Sequence, residues 1–153
     1  MKKLVFIWLS PVLWMALIFY LSHQPAGVSS GISSGLARQL FEVVEPVVPV
    51  EFETIHTLLR KNAHFLAYFV LAILLVRALR KSGVGVTRAF VWAFVGSAVY
   101  AVSDEVHQLF IPGRSGEMRD VLIDSAGAAA GLVVYGVVSF FKWQQQKKAE
   151  SQI

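Results

Sequence analysis

The chain has 153 residues, 56% of them apolar and 16% charged, with no cysteine and a net charge of +4; its mean hydropathy is +0.59. Soluble domains carry about 45–50% apolar and about 25% charged residues, so an ordinary soluble fold is excluded, and the lack of cysteine excludes disulfide, thiolate and cysteine-type zinc chemistry. The apolar excess lies in four runs that leave no length for a separate soluble domain, which predicts a single all-α integral membrane domain over 1–153 with four transmembrane helices.

The first span is predicted at 4–21. Eighteen helical residues rise about 27 Å, close to the thickness of a bilayer core. Two lysines precede it, as they would in a secretory leader. The length of the run, Trp8, Pro11, Trp14 and the lack of a small-x-small cleavage pattern argue for an uncleaved anchor. A long connection follows from Ser22 to Arg60. Its first part, PAGVSSGISSG, is turn and loop chemistry. Ser33 or Ser34 can cap a helix in which Leu36, Leu40, Val43, Val44 and Val47 recur at helical spacing among Arg38, Gln39, Glu42 and Glu45. That pattern predicts an amphipathic helix lying in the interface plane, ended by Pro46 and Pro49. A second amphipathic turn over Glu51 to Leu59 leads into the next span.

The second span is predicted at 62–79, the third at 89–110 and the fourth at 121–141, followed by a polar and basic tail. If both termini and the 80–88 loop are cytoplasmic, nine bases lie inside: Lys2, Lys3, Arg77, Arg80, Lys81, Arg88, Lys142, Lys147 and Lys148. Five lie outside: Arg38, Arg60, Lys61, Arg114 and Arg119. This asymmetry favours cytoplasmic termini and explains the basic composition without nucleic acid. Trp8, Trp92, Tyr135 and Trp143 then fit an inner aromatic belt and Tyr20 an outer one.

That topology gathers polar residues at the outer end. If the third helix runs to the turn at Ile111–Arg114, Asp104 and Glu105 sit about 9–10 Å below it. Asp120 and Asp124 lie in the first turns of the fourth helix. Arg60, Lys61, His64 and Tyr68 enter on the second. Pro112-Gly113 suits a type II turn that aims Arg114 at the surface. A charge inside a membrane helix costs about 2.5–3.5 kcal/mol on insertion scales, so such groups are tolerable facing one another or water. Apolar residues would pack four helices at lower cost than this set, which points to a functional site rather than to structural ion pairs alone.

Three chemistries are open. Recognition of an anionic amphiphile would use Arg60, Lys61, Tyr68, Gln108, Arg114, Arg119, Asp120 and Asp124, with Arg60, Arg114 and Arg119 converging on one headgroup. An enzyme acting on a lipid phosphate ester would use Glu105 or Asp104 as general base, with His64, or secondarily His107, as acid. A structural or partner-binding role is the third. His64, Asp104, Glu105, His107, Asp120 and Asp124 include metal-ligating types, but no ligand pair of the HExxH kind sits on one helix, so neither a metal nor another cofactor is expected. His23 and His56 read as solvated loop histidines. Gly127 to Gly131 forms a GxxxG face expected to pack closely against Ala93, Gly96 and Ser97 of the third span, and it leaves a homodimer open.

Three stretches carry a family resemblance. They are FYLSHQP with the following VSSGISSG, then RKNAHFLAYFVLAILL, then SDEVHQLFIPGRSGEMRDVLIDSAGAAAG. The chain resembles the VanZ-like membrane proteins over nearly its whole length. The motifs are long and ordered: RK-x-x-HF-x-x-Y, then DE-x-x-Q-x-F-x-P-x-R, then D-x-x-x-N/D-x-x-G-x-x-x-G. The resemblance implies polar site positions at Arg60, Lys61, His64, Tyr68, Asp104, Glu105, Gln108, Pro112, Arg114, Asp120, Asp124 and Gly127. Position 124, often Asn in the pattern, is Asp here, which weakens any mechanism needing an amide donor there; His107 is outside the pattern. It further implies a protein of the bacterial cytoplasmic membrane and low-level resistance to teicoplanin-like lipoglycopeptides, with a housekeeping envelope role unrelated to antibiotics also open; the membrane lipid or lipid-linked wall precursor as partner comes from the polar residues and their depth. It implies a phenotype and a site rather than a reaction.

Overall fold

The structure, a computed structural model, describes residues 2–25, 34–35, 37–43, 45, 49, 51–114 and 116–150. These residues form four long helices: α1 (Lys2–Ser22), α2 (Phe52–Lys81), α3 (Val86–Gln108) and α4 (Met118–Glu150). Each contains a stretch long and apolar enough to cross a membrane. The outside of the bundle is as informative as the inside. Phe6, Leu13, Leu66, Val99, Leu122 and Val133 are all more than half exposed. In water such a surface would drive aggregation. Hydrocarbon is its natural solvent, and the chain is a multi-pass membrane protein.

Two hydrogen bonds fix how the helices run. Trp8 Nε1 donates to Ser82 Oγ (3.1 Å), joining the start of α1 to the turn between α2 and α3. Ser22 Oγ donates to Asp104 Oδ2 (2.8 Å), joining the end of α1 to the end of α3. Hence α1 and α3 run one way, and α2 and α4 the other. Arg77, Arg80, Lys81 and Arg88 gather at the Trp8 end, and the acids of α3 and α4 at the Ser22 end.

Several boundaries differ from the sequence expectation. α2 begins at Phe52, ten residues before the expected span, because the amphipathic turn over Glu51 to Leu59 is continuous with it and buries Ile55. Its 30 residues rise about 45 Å, more than the roughly 30 Å of a bilayer core. α3 stops at Gln108 instead of Phe110. Phe110 N and Ile111 N turn back to the carbonyls of His107 and Gln108, so the helix tightens and ends before Pro112. α4 runs through the basic tail to Glu150. Gln and Lys are good helix formers, and Lys147 Nζ sits 4.5 Å over the Trp143 ring. In the first connection 37–43 is helical, with Ala37 buried, Leu40 and Val43 exposed and Phe41 edge-on to Phe52. Leu36, Val44, Val47, the Ser33 cap, Pro46 and the 26–33 loop lie outside the described residues.

Small residues close the core. Ala72, Val76, Ala89, Ala93, Ala128 and Leu132 form one buried cluster from α2, α3 and α4. Ile18, Tyr68, Leu71, Ala101 and Val121 form a second, beside the polar end. The GxxxG face of α4 meets α2 rather than α3: a Cβ at Gly127 would overlap the Phe65 carbonyl, and one at Gly131 that of Phe69. Both glycines are buried, so this face is consumed within the chain and is not free for the homodimer contact that the sequence left open through Gly127 and Gly131. Gly96 instead lies at ordinary contact distance from Leu75.

Gly131→Ala is therefore expected to destabilise the bundle by about 1–3 kcal/mol through overpacking, read as thermal unfolding in detergent. Gly96→Ala, with room for its methyl, is expected to hold or raise stability through helix propensity. Equal losses at the two positions would show that close packing on α2 is not what Gly131 provides.

Candidate functional site

Four elements bring polar side chains to one end of the bundle. The last turn of α3 supplies Asp104, Glu105 and Gln108, all buried. Gln108 lies one turn beyond Asp104 and three residues beyond Glu105, so its side chain reaches both. Its Nε2 donates to Asp104 Oδ2 (3.2 Å) and Glu105 Oε1 (3.3 Å). Its Oε1 accepts from Arg114 Nη1 (3.3 Å). A neutral amide thus links the acids to the cation. Because α3 ends at Gln108, the acids occupy its final turn, about 5 Å from the helix end rather than 9–10 Å below the following loop.

Arg114 is positioned by the turn expected from Pro112-Gly113. Gly113 has φ +77° and Arg114 N donates to Ile111 O (3.1 Å), which is type II geometry. The side chain does not point at the surface. It folds back half-buried, with Nε on Gln24 O (2.9 Å) and Nη2 on Leu21 O (3.1 Å). These carbonyls lie at the end of α1, where a cation complements the helix dipole. Burial pulls the Arg114 pKa below the ordinary arginine value; Asp104 opposes this, and nearby Arg60 adds to it.

Glu105 is held from the other side as well. Glu117 N, at the start of α4, donates to Glu105 Oε2 (2.8 Å), placing a carboxylate at a helix N-terminus. Gly116 permits this approach, since a Cβ there would stand 2.6 Å from the Glu105 carbonyl. On α4, Asp120 and Asp124 are buried. On α2, His64 Nδ1 lies 3.4 Å from Asp124 Oδ1, a charge contact too loose for a well-formed hydrogen bond. Beneath it is the buried Tyr68. His64, Asp104 and Glu105 each offer one ligand-type atom within 4.8 Å of the others.

This network is satisfied on one side only. Asp104 Oδ1, Asp120 Oδ1, both Asp124 oxygens and Tyr68 OH are buried with no hydrogen-bond partner among the described residues. In an apolar medium each such group is costly. By contrast Tyr100, whose ring lies 6.2 Å from that of Tyr68, donates its hydroxyl to Met15 O (2.6 Å).

The structure therefore brings together His64, Tyr68, Asp104, Glu105, Gln108, Arg114, Asp120 and Asp124. It leaves Arg60 and Arg119 exposed and Lys61 half-buried; among the described residues Arg114 is the arginine whose hydrogen bonds join the network. Sequence reasoning missed the first helix: Ser22 and the carbonyls of Leu21 and Gln24 complete the site. Their signal was the FYLSHQP stretch, whose polar residues follow directly on the apolar run. It also missed a pairing at the rim, where His23 Nδ1 and His107 Nε2 share a hydrogen bond (3.1 Å) and stack beside Phe19.

Fold and site together define a four-helix membrane bundle with a buried carboxylate–histidine–arginine cluster at one end. The chain belongs to the VanZ/LLP1 family, whose model matches residues 7–140, a range that takes in every one of these groups. No curated protein and no solved structure matches it.

Gln108→Leu is expected to lower stability by about 1–3 kcal/mol, because it strands buried donors and acceptors. Combined with Arg114→Leu, the losses should depart from additivity by more than about 0.5 kcal/mol, as measured in a double-mutant cycle by thermal unfolding. Strict additivity would remove Gln108 as the link between cation and acids.

Proposed function

We propose that this protein binds the phosphate-bearing headgroup of an anionic amphiphile at the outer face of the bacterial cytoplasmic membrane. The amphiphile is a membrane lipid or a lipid-linked cell-wall precursor, and through it the protein contributes to low-level resistance to teicoplanin-like lipoglycopeptides. The observation that carries the reading is Arg114, fixed at the polar end of a bundle whose exterior is apolar. Three of the five N–H groups of its guanidinium are engaged among the described residues; those remaining suit phosphate oxygens. Arg60, exposed nearby, adds positive charge, and the helical stretch 37–43, lying in the interface, would guide acyl chains. Both termini are cytoplasmic in this reading, because the larger share of the basic residues, nine of fourteen, lies at the opposite end.

A polyprenyl phosphate and phosphatidylglycerol are the two probes, with phosphatidylcholine as the zwitterionic control. Either anionic probe should raise the unfolding temperature of the detergent-solubilised protein, and Arg114→Gln should weaken the response at least fivefold. A response to the polyprenyl phosphate alone identifies the precursor class. Equal responses to phosphatidylcholine would defeat the reading. Orientation is tested separately: a reporter fused after Ile153 is expected to report cytoplasm, and a periplasmic signal would invert the site.

A second reading, hydrolysis of a lipid phosphate ester, is favoured by the closeness of His64, Asp104 and Glu105. Glu105 or Asp104 would act as base and His64 as acid. It requires turnover of a labelled lipid by purified protein that Glu105→Gln abolishes without unfolding the bundle. Resistance retained after neutralising Asp104, Glu105 and Asp120 together would leave a structural or partner-binding role.

A further inference from the structure

We propose that His64, Asp104 and Glu105 form a binding site for a divalent first-row transition cation of the Zn²⁺ or Mn²⁺ class. One ligand-type atom from each lies within 4.8 Å of the others. Ligands about 2.0–2.2 Å from a shared tetrahedral ion stand about 3.3–3.6 Å apart, so side-chain movements of about an ångström would bring these three atoms onto one ion and leave a further position for solvent or substrate.

The hydrogen bonds around Asp104 already sort its two oxygens. Oδ2 accepts from both Ser22 and Gln108. Oδ1 has no hydrogen-bond partner among the described residues, although the residue is only 3% exposed. The carboxylate is thus held in one orientation with an oxygen left over, as for a ligand rather than a packing group. Behind His64 stands Asp124, fully buried, 3.4 Å from Nδ1. Drawn in to hydrogen-bond distance, that carboxylate would hold the proton on Nδ1 and leave the lone pair on Nε2, the arrangement that orients metal-ligating histidines. Glu105 is fixed by Gln108 and by Glu117 N, each of its oxygens keeping a lone pair for a further contact.

Charge and chemistry agree on the ion. Asp104, Glu105, Asp120 and Asp124 are buried together, and Arg114 is the one arginine in their network. A dication offsets two of those negative charges where solvent does not. An imidazole beside carboxylates, without thiolate, suits Zn²⁺ or Mn²⁺ better than Mg²⁺ or Ca²⁺. The ligands lie on two helices, α2 and α3, which is why no pair at i, i+4 announces them. Such an ion would also let a carboxylate layer accept phosphate.

The test uses the full chain in detergent, stripped with a chelator and titrated with Zn²⁺, Mn²⁺ or Mg²⁺ in a calorimeter. One Zn²⁺ or Mn²⁺ per chain should bind, more tightly than Mg²⁺. His64→Ala and Asp104→Asn should each weaken binding at least tenfold, and His107→Ala should not change it. The proposal is overturned if neither transition ion binds stoichiometrically, if His64→Ala binds as the parent does, or if His107→Ala abolishes binding, which would place the ion on the rim histidines. Should the site variants fail to fold, X-ray absorption on the zinc-loaded parent decides: one imidazole among oxygens is expected, and two imidazoles or none refutes it. No lipid enters the titration, so its failure and that of the headgroup reading are separate results.

Discussion

The close approach of α4 to α2 at Gly127 and Gly131 sets the register on which the polar end depends. Gly131 lies on Phe69 and Gly127 on Phe65, a step of four on each helix, as two parallel helices require. The same seam continues upward to Asp124 and His64. With about 3.6 residues per turn, a one-residue slip on either helix rotates a side chain by about 100°. His64 would then leave Asp124 and turn towards lipid. The glycines therefore do more than permit close packing. They fix both the depth and the facing of the histidine, and a larger residue would disturb the His64–Asp124 contact one turn above itself.

What that seam assembles is unequal on its two sides. Towards α1 and the 109–117 loop, the carboxylates of α3 are tied to Ser22, Gln108 and the amide of Glu117. On the other side, Asp104 Oδ1, Asp120 Oδ1, both Asp124 oxygens and the Tyr68 hydroxyl have no hydrogen-bond partner among the described residues. A network meant only to hold helices together would be expected to close on itself, because an unsatisfied group in an apolar interior costs about 1–3 kcal/mol. The tied side is a scaffold, and the open side carries the polar atoms that the described residues leave unmet. Gln108 suits the boundary between them: a carboxylate there would repel its neighbours, and a lysine would occupy the very charge that the open side leaves unmet.

The legible part of this arrangement was local. Four apolar runs, the Pro112-Gly113 turn and the three- and four-residue spacing of acids on α3 and α4 were all readable, because each depends on neighbours in the chain. The illegible part was rotation and long-range pairing. The order of the spans placed Arg60 and Arg119 at the same end as the acids, but not on which side of their helices they would lie, and both are exposed. Ser22 could not be read as a site residue because its partner lies 82 positions away. The end of α3 was placed two residues too late because apolar Leu109 and Phe110 extend the run in composition, while the approach to Pro112 ends it in geometry.

An apolar core lies away from the polar end. The cluster of Ala72, Val76, Ala89, Ala93, Ala128 and Leu132, with the Trp8–Ser82 bond, lies towards the basic end and contains no ionisable group. Small residues there let three helices approach closely, so dispersion contacts in the apolar half hold the fold. Between it and the acids lies the second cluster, where Tyr68, Leu71, Ala101 and Val121 shield the carboxylates from the opposite face. A membrane helix gains little from apolar burial as such, since lipid is as apolar as leucine. The polar end is therefore tolerable because the packed half positions its groups before they interact. The carboxylates are thus positioned by helix packing as well as by their own hydrogen bonds to Ser22, Gln108 and the Glu117 amide.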